Sequence, residues 1–197
     1  MYKKTKPSQS AAPRPPMGKS GKEFSAKFRF CPACGSSHFV ENDFKSKRCE
    51  DCGFIYYFNA AAAVAVIITN EEGELLMCRR AQEPAKGTLD IIGGFVDPGE
   101  STTTAMMREM EEETGVHIEE NRLTFLFSFP NTYLYSGLLI HTCDSFFHIE
   151  LPKDTKFTPS DDVAECMWIS PKDINLDDIG LDSIRGAVKR YISTLHF

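Results

Sequence analysis

The segment Gly94–Val116 reads GFVDPGESTTTAMMREMEEETGV and places closely spaced glutamates between two glycines. Ser101 is a residue type that caps helix N-termini, and Gly115 suits the left-handed position just after a helix ends. With the turn at Pro98-Gly99, these residues predict a helix that begins after Ser101 and ends before Gly115. We expect apolar side chains to form its buried stripe, namely Ala105, Met106 and Met110.

Three glutamates of this predicted helix share one face. Glu109, Glu112 and Glu113 fall at positions i, i+3 and i+4, so their carboxylates project from the same side. Their negative charges repel one another unless a cation compensates them, and Mg²⁺ prefers carboxylate and phosphate oxygens. The segment therefore indicates a metal-dependent site for a phosphate-bearing substrate. The alternative is an exposed acidic helix with pairs such as Arg108 with Glu112.

The same segment resembles the signature of the Nudix hydrolases. The match covers nine specified positions across 23 residues, namely Gly94, Glu100, Arg108, Glu109, Met110, Glu112, Glu113, Gly115 and Val116. The resemblance implies an α/β fold, an αβα sandwich with a mixed sheet. It also implies Mg²⁺-dependent hydrolysis of the diphosphate bond in a nucleoside diphosphate linked to another moiety.

The resemblance assigns roles to individual side chains. Glu109, Glu112 and Glu113 would hold Mg²⁺ or Mn²⁺ together with the backbone carbonyl of Gly93. The general base would be Glu109 or Glu112, because family members differ in which carboxylate takes this role. Arg108 would orient the carboxylates, and Glu100 would fix the loop before the helix. A further acidic ligand would come from a later loop, and the candidates are Asp161, Asp162 and Glu165.

Four cysteines form the pairs Cys31-Pro-Ala-Cys34 and Cys49-Glu-Asp-Cys52, separated by 14 residues. Two such pairs at this separation predict a tetrahedral, structural Zn²⁺ site held by all four thiolates. Two disulfides are the competing interpretation, which a reducing cytosol disfavours. We therefore expect a zinc ribbon over residues 28–58, followed by the catalytic domain over residues 59–197.

Positive charge is concentrated at the start of the chain. The sequence has 197 residues and a net charge of −6, yet residues 1–30 contain eight Lys or Arg and one Glu. Because residues 7–22 are rich in Pro, Ser, Gly and Lys, we expect residues 1–27 to form a disordered basic tail. Such a tail usually remains solvated, and contact with nucleic acid or a membrane surface is the alternative. Without an apolar run of ~20 residues or a signal peptide, we expect a cytoplasmic protein with no membrane partner.

Apolar runs outside these motifs predict the remaining elements. Strands are expected at 61–69, 75–79, 89–92, 123–129, 138–150 and 166–169, with a final amphipathic helix between residues 181 and 195. Pro130-Asn131 and Ser136-Gly137 are expected to interrupt the strands.

A zinc ribbon before this domain is similar to the NADH pyrophosphatase branch of the family. That branch has the marker Ser-Gln-Pro-Trp-Pro-Phe-Pro-x-Ser, whereas the corresponding segment here, residues 128–136, reads SFPNTYLYS and lacks the tryptophan. NADH and ADP-ribose are the expected nucleotide substrates. The alternatives are an NAD-cap or RNA-end hydrolase and a non-catalytic nucleotide sensor. Analogy with ribbon-bearing relatives predicts a homodimer.

Four side chains are candidates for contact with the substrate. Arg79 and Arg80 precede the glutamate motif, where they would meet phosphate or remain at a solvated strand end. Tyr133 and Tyr135 lie in the diverged segment, where an aromatic ring would stack on a nucleobase or pack against the protein.

Overall fold

The computed structural model describes residues 25–135, 137–160 and 162–195. Of the expected tail, only residues 25–27 are described, and they are helical. The candidate ligand Asp161 and the side chain of Tyr135 lie outside the description. The chain forms two compact units, Met1–Asn59 and Ala60–Phe197.

The first unit contains a three-stranded antiparallel sheet in the order β1-β2-β3, with β1 at Phe39–Asp43, β2 at Ser46–Cys49 and β3 at Ile55–Tyr57. Its buried apolar cluster consists of Cys31, Phe39 and Cys49, with Phe28 packed against it. A core this small rarely stabilises a fold alone, so a segment of this kind depends on a staple such as a metal.

The second unit is built on a seven-stranded sheet. Its strands are β4 Ala61–Thr69, β5 Leu75–Arg80, β6 Leu89–Asp90, β7 Gly93–Phe95, β8 Thr124–Tyr135, β9 Leu138–Glu150 and β10 Val163–Ile169. The main order is β10-β5-β4-β9-β8, while β6 pairs with β5 and β7 pairs with β4. Strands β4 and β9 are parallel and the other pairs are antiparallel, so the sheet is mixed, as expected.

Two helices cover opposite faces of this sheet, α1 at Thr102–Thr114 and α2 at Asp182–Ile192. Because strand side chains alternate between faces, Val64 and Val66 of β4 pack with Met106 of α1 on one side. On the other side, Ala65 and Ile67 pack with Val188 of α2. This arrangement confirms the predicted αβα sandwich. Among the described residues, no helix is both long and apolar enough to cross a membrane.

The ends of α1 match the sequence-based expectation. The side chain of Ser101 accepts a hydrogen bond from the Thr104 N–H, and Gly115 adopts the left-handed conformation with φ of 70°. Ala105, Met106 and Met110 are fully buried. Burial of a methionine side chain stabilises the fold by about 1.5–3 kcal/mol. Local capping and this stripe together fix how α1 lies on the sheet.

Strand β8 differs from the prediction, because it continues through Pro130-Asn131 to Tyr135. Pro130 is the register partner of Cys143 in β9. Strand β8 lies at the edge of the sheet. A proline whose nitrogen faces away from β9 removes no ladder hydrogen bond there. The predicted interruption at Pro130 was therefore wrong. The strand predicted at 89–92 is shorter in the structure, where β6 covers only Leu89–Asp90 and pairs with β5, and a separate strand, β7, follows at Gly93–Phe95 and pairs with β4.

Candidate active site

Two glycines at the start of β7 let its backbone lie close to β4 at Gly93 and close to α1 at Gly94. A Cβ atom at Gly93 would collide with the backbone carbonyl of Val64, and one at Gly94 would collide with the carboxylate of Glu109. Only glycine lacks that atom. The Gly93 N–H also donates a hydrogen bond of 3.2 Å to Oε2 of Glu113. The glutamate face of α1 therefore lies directly against the backbone of β7.

Arg108 connects the carboxylates of this region. Its guanidinium donates to both carboxylate oxygens of Glu100 at 2.9 and 3.1 Å, and to the Phe95 carbonyl at 3.0 Å. The same group donates to Glu109 at 2.8 Å and to Glu112 at 2.9 Å. Charge-assisted bonds of this kind are strong and directional. Arg108 thus orients two glutamates of α1 and ties them to the preceding loop.

Glu100 holds the loop between β7 and α1. Besides its two-pronged pairing with Arg108, its Oε2 accepts a 3.0 Å hydrogen bond from the Asp97 N–H. Arg108 above all, and this N–H as well, keep the pKa of Glu100 below its ordinary value. Glu100 therefore remains charged and closes the loop against the helix.

The carboxylates beside β7 are buried with too little positive charge from the protein to keep all of them ionised. Burial above all, with the nearby charges of Glu109, Asp90 and Asp162, raises the pKa of Glu113 to about 9. Burial also raises the pKa of Glu109, although Arg108 opposes that shift. A divalent cation among these oxygens would supply the missing positive charge. Carboxylate oxygens are the ligands that Mg²⁺ and Mn²⁺ prefer, so the donor set fits such an ion.

The candidate ligands from the later loop occupy different surroundings. Asp162 lines a small cavity together with Gly93 and Glu113. Glu165 is instead exposed and pairs with the guanidinium of Arg79 at 2.8 Å. Of the two described candidates, Asp162 is therefore the one beside the glutamate cluster.

The two candidate arginines of β5 both lie near this cavity, with different partners. Arg79 donates to Glu165 and to the Gly87 carbonyl at 2.7 Å, at a solvent-exposed position. Arg80 is largely buried and pairs with Asp90 at 2.5 Å.

Sequence reasoning missed Asp90, a buried carboxylate whose pKa is raised by burial. The sequence did offer a signal for Asp90, because it is a charged residue in a short apolar segment that leads to Gly93 and Gly94.

A model of the NUDIX domain matches residues 59–190 of the chain. The chain belongs to the Nudix family. Helix α1 is thus its Nudix helix, and Arg108, Glu109 and Glu113 of the signature lie against the β7 backbone.

Curated relatives carry one recurring name, NAD-capped RNA hydrolase NudC. The protein from Stutzerimonas stutzeri is 25% identical over 173 residues, which cover 87% of this chain and 56% of the relative. The one from Deinococcus radiodurans is 28% identical over 155 residues, covering 77% and 52%. The one from Chromobacterium violaceum is 32% identical over 109 residues, covering 55% and 40%. The chain spans about half the length of these relatives.

Solved structures show the same fold at low identity. A NUDIX hydrolase from Nitrosomonas europaea aligns with a TM-score of 0.66 and 24% identity, covering 85% of this chain and 92% of the other. A bifunctional NMN adenylyltransferase/ADP ribose pyrophosphatase from Francisella tularensis, complexed with AMP and a manganese ion, aligns at 0.55 and 19%, covering 70% and 42%. These similarities support the Nudix fold.

A larger cavity of about 220 Å³ opens beside the glycine pair of the Nudix domain. Its lining includes Gly93, Gly94 and Asp162 near the Nudix helix, and Asn131 and Asp144 on β8 and β9. Strand β4 forms the floor, since it pairs with β7 on one side and β9 on the other. The cavity therefore extends from the glycine pair of β7 across β4 towards β9 and the edge strand β8.

Tyr133 lines this cavity, as does Arg80. The Tyr133 ring packs edge-on against Phe95, with ring centroids 5.9 Å apart. Burial raises the pKa of the Tyr133 phenol, so the group remains neutral. Tyr133 therefore presents a neutral aromatic wall to anything bound in the cavity.

The four cysteines of the first unit come together. Their Sγ atoms all lie within 4.8 Å of one another, with 3.7 Å between Cys31 and Cys52 and 3.6 Å between Cys34 and Cys49. A tetrahedral site with Zn–S bonds of ~2.3 Å requires sulfur separations of ~3.8 Å, so the arrangement fits Zn²⁺. The residues that sequence spacing singled out thus form one cluster suited to a metal ion.

Proposed function

We propose that this protein hydrolyses the diphosphate bond of a nucleoside diphosphate linked to another moiety, with Mg²⁺ or Mn²⁺. The observation that carries the proposal is the placement of Glu109 and Glu113 against the backbone of Gly94 and Gly93. Glu112, on the same face of the Nudix helix, is joined to Glu109 through Arg108. The Nudix family match and the names of the curated relatives support it.

The three glutamates, the Gly93 carbonyl and Asp162 would hold the metal ions. When bound, such ions neutralise charge on the diphosphate oxygens and make water a stronger nucleophile. Arg108 keeps the carboxylates of Glu109 and Glu112 oriented through its two ion pairs. One of these two glutamates accepts the proton of the attacking water at a carboxylate oxygen that Arg108 leaves free. Positioning and electrostatics then provide most of the rate enhancement.

NADH and ADP-ribose are the proposed substrates, and the segment that diverges from the marker of the NADH pyrophosphatase branch helps to line the cavity. The diverged segment, residues 128–136, lies mostly in β8. Asn131 and Tyr133 of this segment line the cavity. A change of residues there alters the wall that faces the nucleoside, while the Nudix helix remains unchanged.

Hydrolysis of each candidate substrate in the presence of Mg²⁺ tests this function. Purified protein is incubated with NADH and, separately, with ADP-ribose, and the products are identified by mass spectrometry. AMP is expected from both, with reduced nicotinamide mononucleotide or ribose phosphate as the second product. Glu112→Gln provides the inactive control. No cleavage of these or other nucleoside diphosphate derivatives by metal-loaded, folded protein would refute the proposal.

A second candidate function, cleavage of NAD-capped or other modified RNA ends, is favoured by an aromatic surface on the first unit. Phe44 and Tyr57 are 50% and 46% exposed. The Lys45 ammonium lies 5.8 and 5.9 Å from their ring centroids. Bases of single-stranded RNA stack on exposed aromatic rings beside cations. Curated relatives are also named NAD-capped RNA hydrolase.

A double variant separates this candidate from hydrolysis of small nucleotides. Phe44→Ala with Tyr57→Ala should raise KM for NAD-capped RNA and leave KM for NADH unchanged, as should removal of residues 1–27. Equal effects on both substrates, or none on capped RNA, would reject it. A non-catalytic sensor is disfavoured because the chain retains every glutamate of the signature.

For the first unit we propose a closed, structural Zn²⁺ site formed by Cys31, Cys34, Cys49 and Cys52. Four protein thiolates leave no open position for substrate, so the ion contributes folding energy rather than catalysis. A reducing compartment such as the cytoplasm would keep these thiolates available. A homodimer remains a prediction, which sedimentation equilibrium of the zinc-loaded protein tests.

A further inference from the structure

The far wall of the larger cavity contains polar side chains on the face of the sheet that α2 covers. Thr142, Asp144 and Phe146 alternate along β9, so their side chains share the face covered by α2. Phe146 is fully buried among apolar side chains. Two and four residues earlier, the same face carries Asp144 and Thr142, which are only 6% and 3% exposed. The core therefore becomes polar where it borders the cavity.

Asp144 is held by neutral donors. The Thr142 hydroxyl donates to its Oδ1 at 2.6 Å, and the Asn131 amide donates to its Oδ2 at 3.0 Å. The same Asn131 amide donates to the Ser183 hydroxyl at 3.1 Å. An ionised carboxylate accepts about four hydrogen bonds, so two of its acceptor positions remain beyond those used here. Both oxygens are oriented, yet neither is saturated.

Asp144 has no ion-pair partner among the described residues, whereas Asp90, the other buried aspartate of the cavity, has one. Asp90 is neutralised by the guanidinium of Arg80. Within the described residues 25–135, 137–160 and 162–195, no ion pair involves Asp144. A buried charge without a cation is costly unless hydrogen bonds compensate it. The hydrogen bond between Asn131 and Ser183 already ties β8 to α2. A purely structural role therefore gives no reason for a carboxylate at position 144.

Space next to Asp144 is created by small residues. Ala63 of β4 is its register partner, and Ala65 follows on the same face. Both alanines line the cavity with Asp144. On its other side, Ala63 pairs with Phe95 of β7. Two strand spacings, ~10 Å, thus separate the glycine strand from Asp144. That is the reach of a nucleoside whose phosphates lie at the Nudix helix.

We propose that Asp144, oriented by Thr142 and Asn131, binds the hydrogen-bond-donating group of the substrate's nucleoside. A carboxylate only accepts hydrogen bonds, so the group it selects must carry N–H or O–H donors. Two parts of a nucleoside offer them, the amino group of the base and the hydroxyls of the ribose. This assignment rests on the proposed function and names the determinant of specificity in the same cavity.

Kinetics of Asp144→Asn on three substrates test the assignment. The substrates are ADP-ribose, its analogue with a 2′-deoxyadenosine ribose, and its analogue with hypoxanthine in place of adenine. Loss of one hydrogen bond to a charged acceptor predicts a KM for ADP-ribose raised about 10-fold, with kcat little changed. One of the two analogues lacks the donor that Asp144 contacts. For that analogue, the KM of wild type should already be high, and Asp144→Asn should not raise it further. The deoxy analogue identifies a ribose contact, and the hypoxanthine analogue a base contact.

Binding of AMP in the absence of metal, measured by calorimetry, tests the assignment without relying on hydrolysis. The expected result is about 10-fold weaker binding by Asp144→Asn. Asp154→Asn, at an exposed position outside the cavity, should bind AMP as wild type does. Thr142→Val removes one of the orienting donors at nearly constant volume, and it serves as the second variant if Asp144→Asn does not fold. Equal AMP binding and equal KM values in wild type and in a folded variant would overturn the inference. If wild type hydrolysed no substrate while Asp144→Asn still bound AMP more weakly than wild type, the proposed function alone would be refuted.

Discussion

The Gly93 N–H donates a hydrogen bond to Oε2 of Glu113, 20 residues later in the chain. This bond joins β7 to the Nudix helix at the centre of the carboxylate cluster. It favours the ionised form of Glu113, yet burial and the neighbouring carboxylates outweigh it and raise the pKa to about 9. The charge of Glu113 is therefore linked to the presence of a cation.

The first prediction concerns the stability of metal-free protein. Glu113 has a pKa of about 9 when folded and 4.5 as its ordinary value, so between these pH values the folded state binds more protons. The free energy of unfolding must then fall as pH rises from about 5 to about 9. Thermal melts in EDTA should show this decline, and Glu113→Gln should reduce it. Glu111→Gln, an exposed change on the same helix, should retain the wild-type slope, and an unchanged slope in Glu113→Gln would contradict the assignment.

The second prediction concerns turnover. Glu112→Gln should lower kcat at least ~100-fold with the fold intact, because it removes a metal ligand or the general base. Glu109→Gln should have an effect of similar size. The variant that lacks the base should also lose the acidic limb of the kcat–pH profile, whereas loss of a ligand alone should shift the metal requirement. Wild-type activity in Glu112→Gln would refute the site, and Glu111→Gln is again the matched control.

The third prediction separates the roles of the two adjacent glycines. Gly93→Ala places Cβ against the backbone carbonyl of Val64, which cannot move without disturbing β4. It should reduce stability by at least ~2 kcal/mol in denaturant titrations. Gly94→Ala places Cβ against the flexible Glu109 carboxylate. It should leave stability nearly unchanged while lowering activity and metal affinity. The reverse order of stabilities would contradict the described packing.

The fourth prediction concerns zinc. Cys31→Ser should reduce bound zinc from one equivalent to nearly none, measured by elemental analysis, because one of four thiolates is lost. Cys143→Ser changes an exposed cysteine outside the cluster and should retain the full equivalent. A full equivalent of zinc in Cys31→Ser would show that the four-cysteine site is wrong.

Short-range features of the molecule were predictable because their causes are local. Ser101 and Gly115 determine the ends of the Nudix helix through hydrogen bonds and backbone conformation within one turn. The spacing within each Cys-x-x-Cys pair likewise prepares two ligands in a single turn. Residue spacing along one helix also determined that Glu109, Glu112 and Glu113 share a face.

Features that depend on distant strands were decided by the tertiary structure. Pro130 is tolerated in β8 because that strand lies at the sheet edge, which no local signal reveals. Among the described acids, Asp162 rather than Glu165 lies beside Glu113. Asp144 reaches the cavity because β9 pairs with β4 in a register that places it opposite Ala63. The sequence by itself thus determined the Nudix helix, its carboxylates and the cysteine pairs, whereas strand order and register decided which side chains surround the substrate.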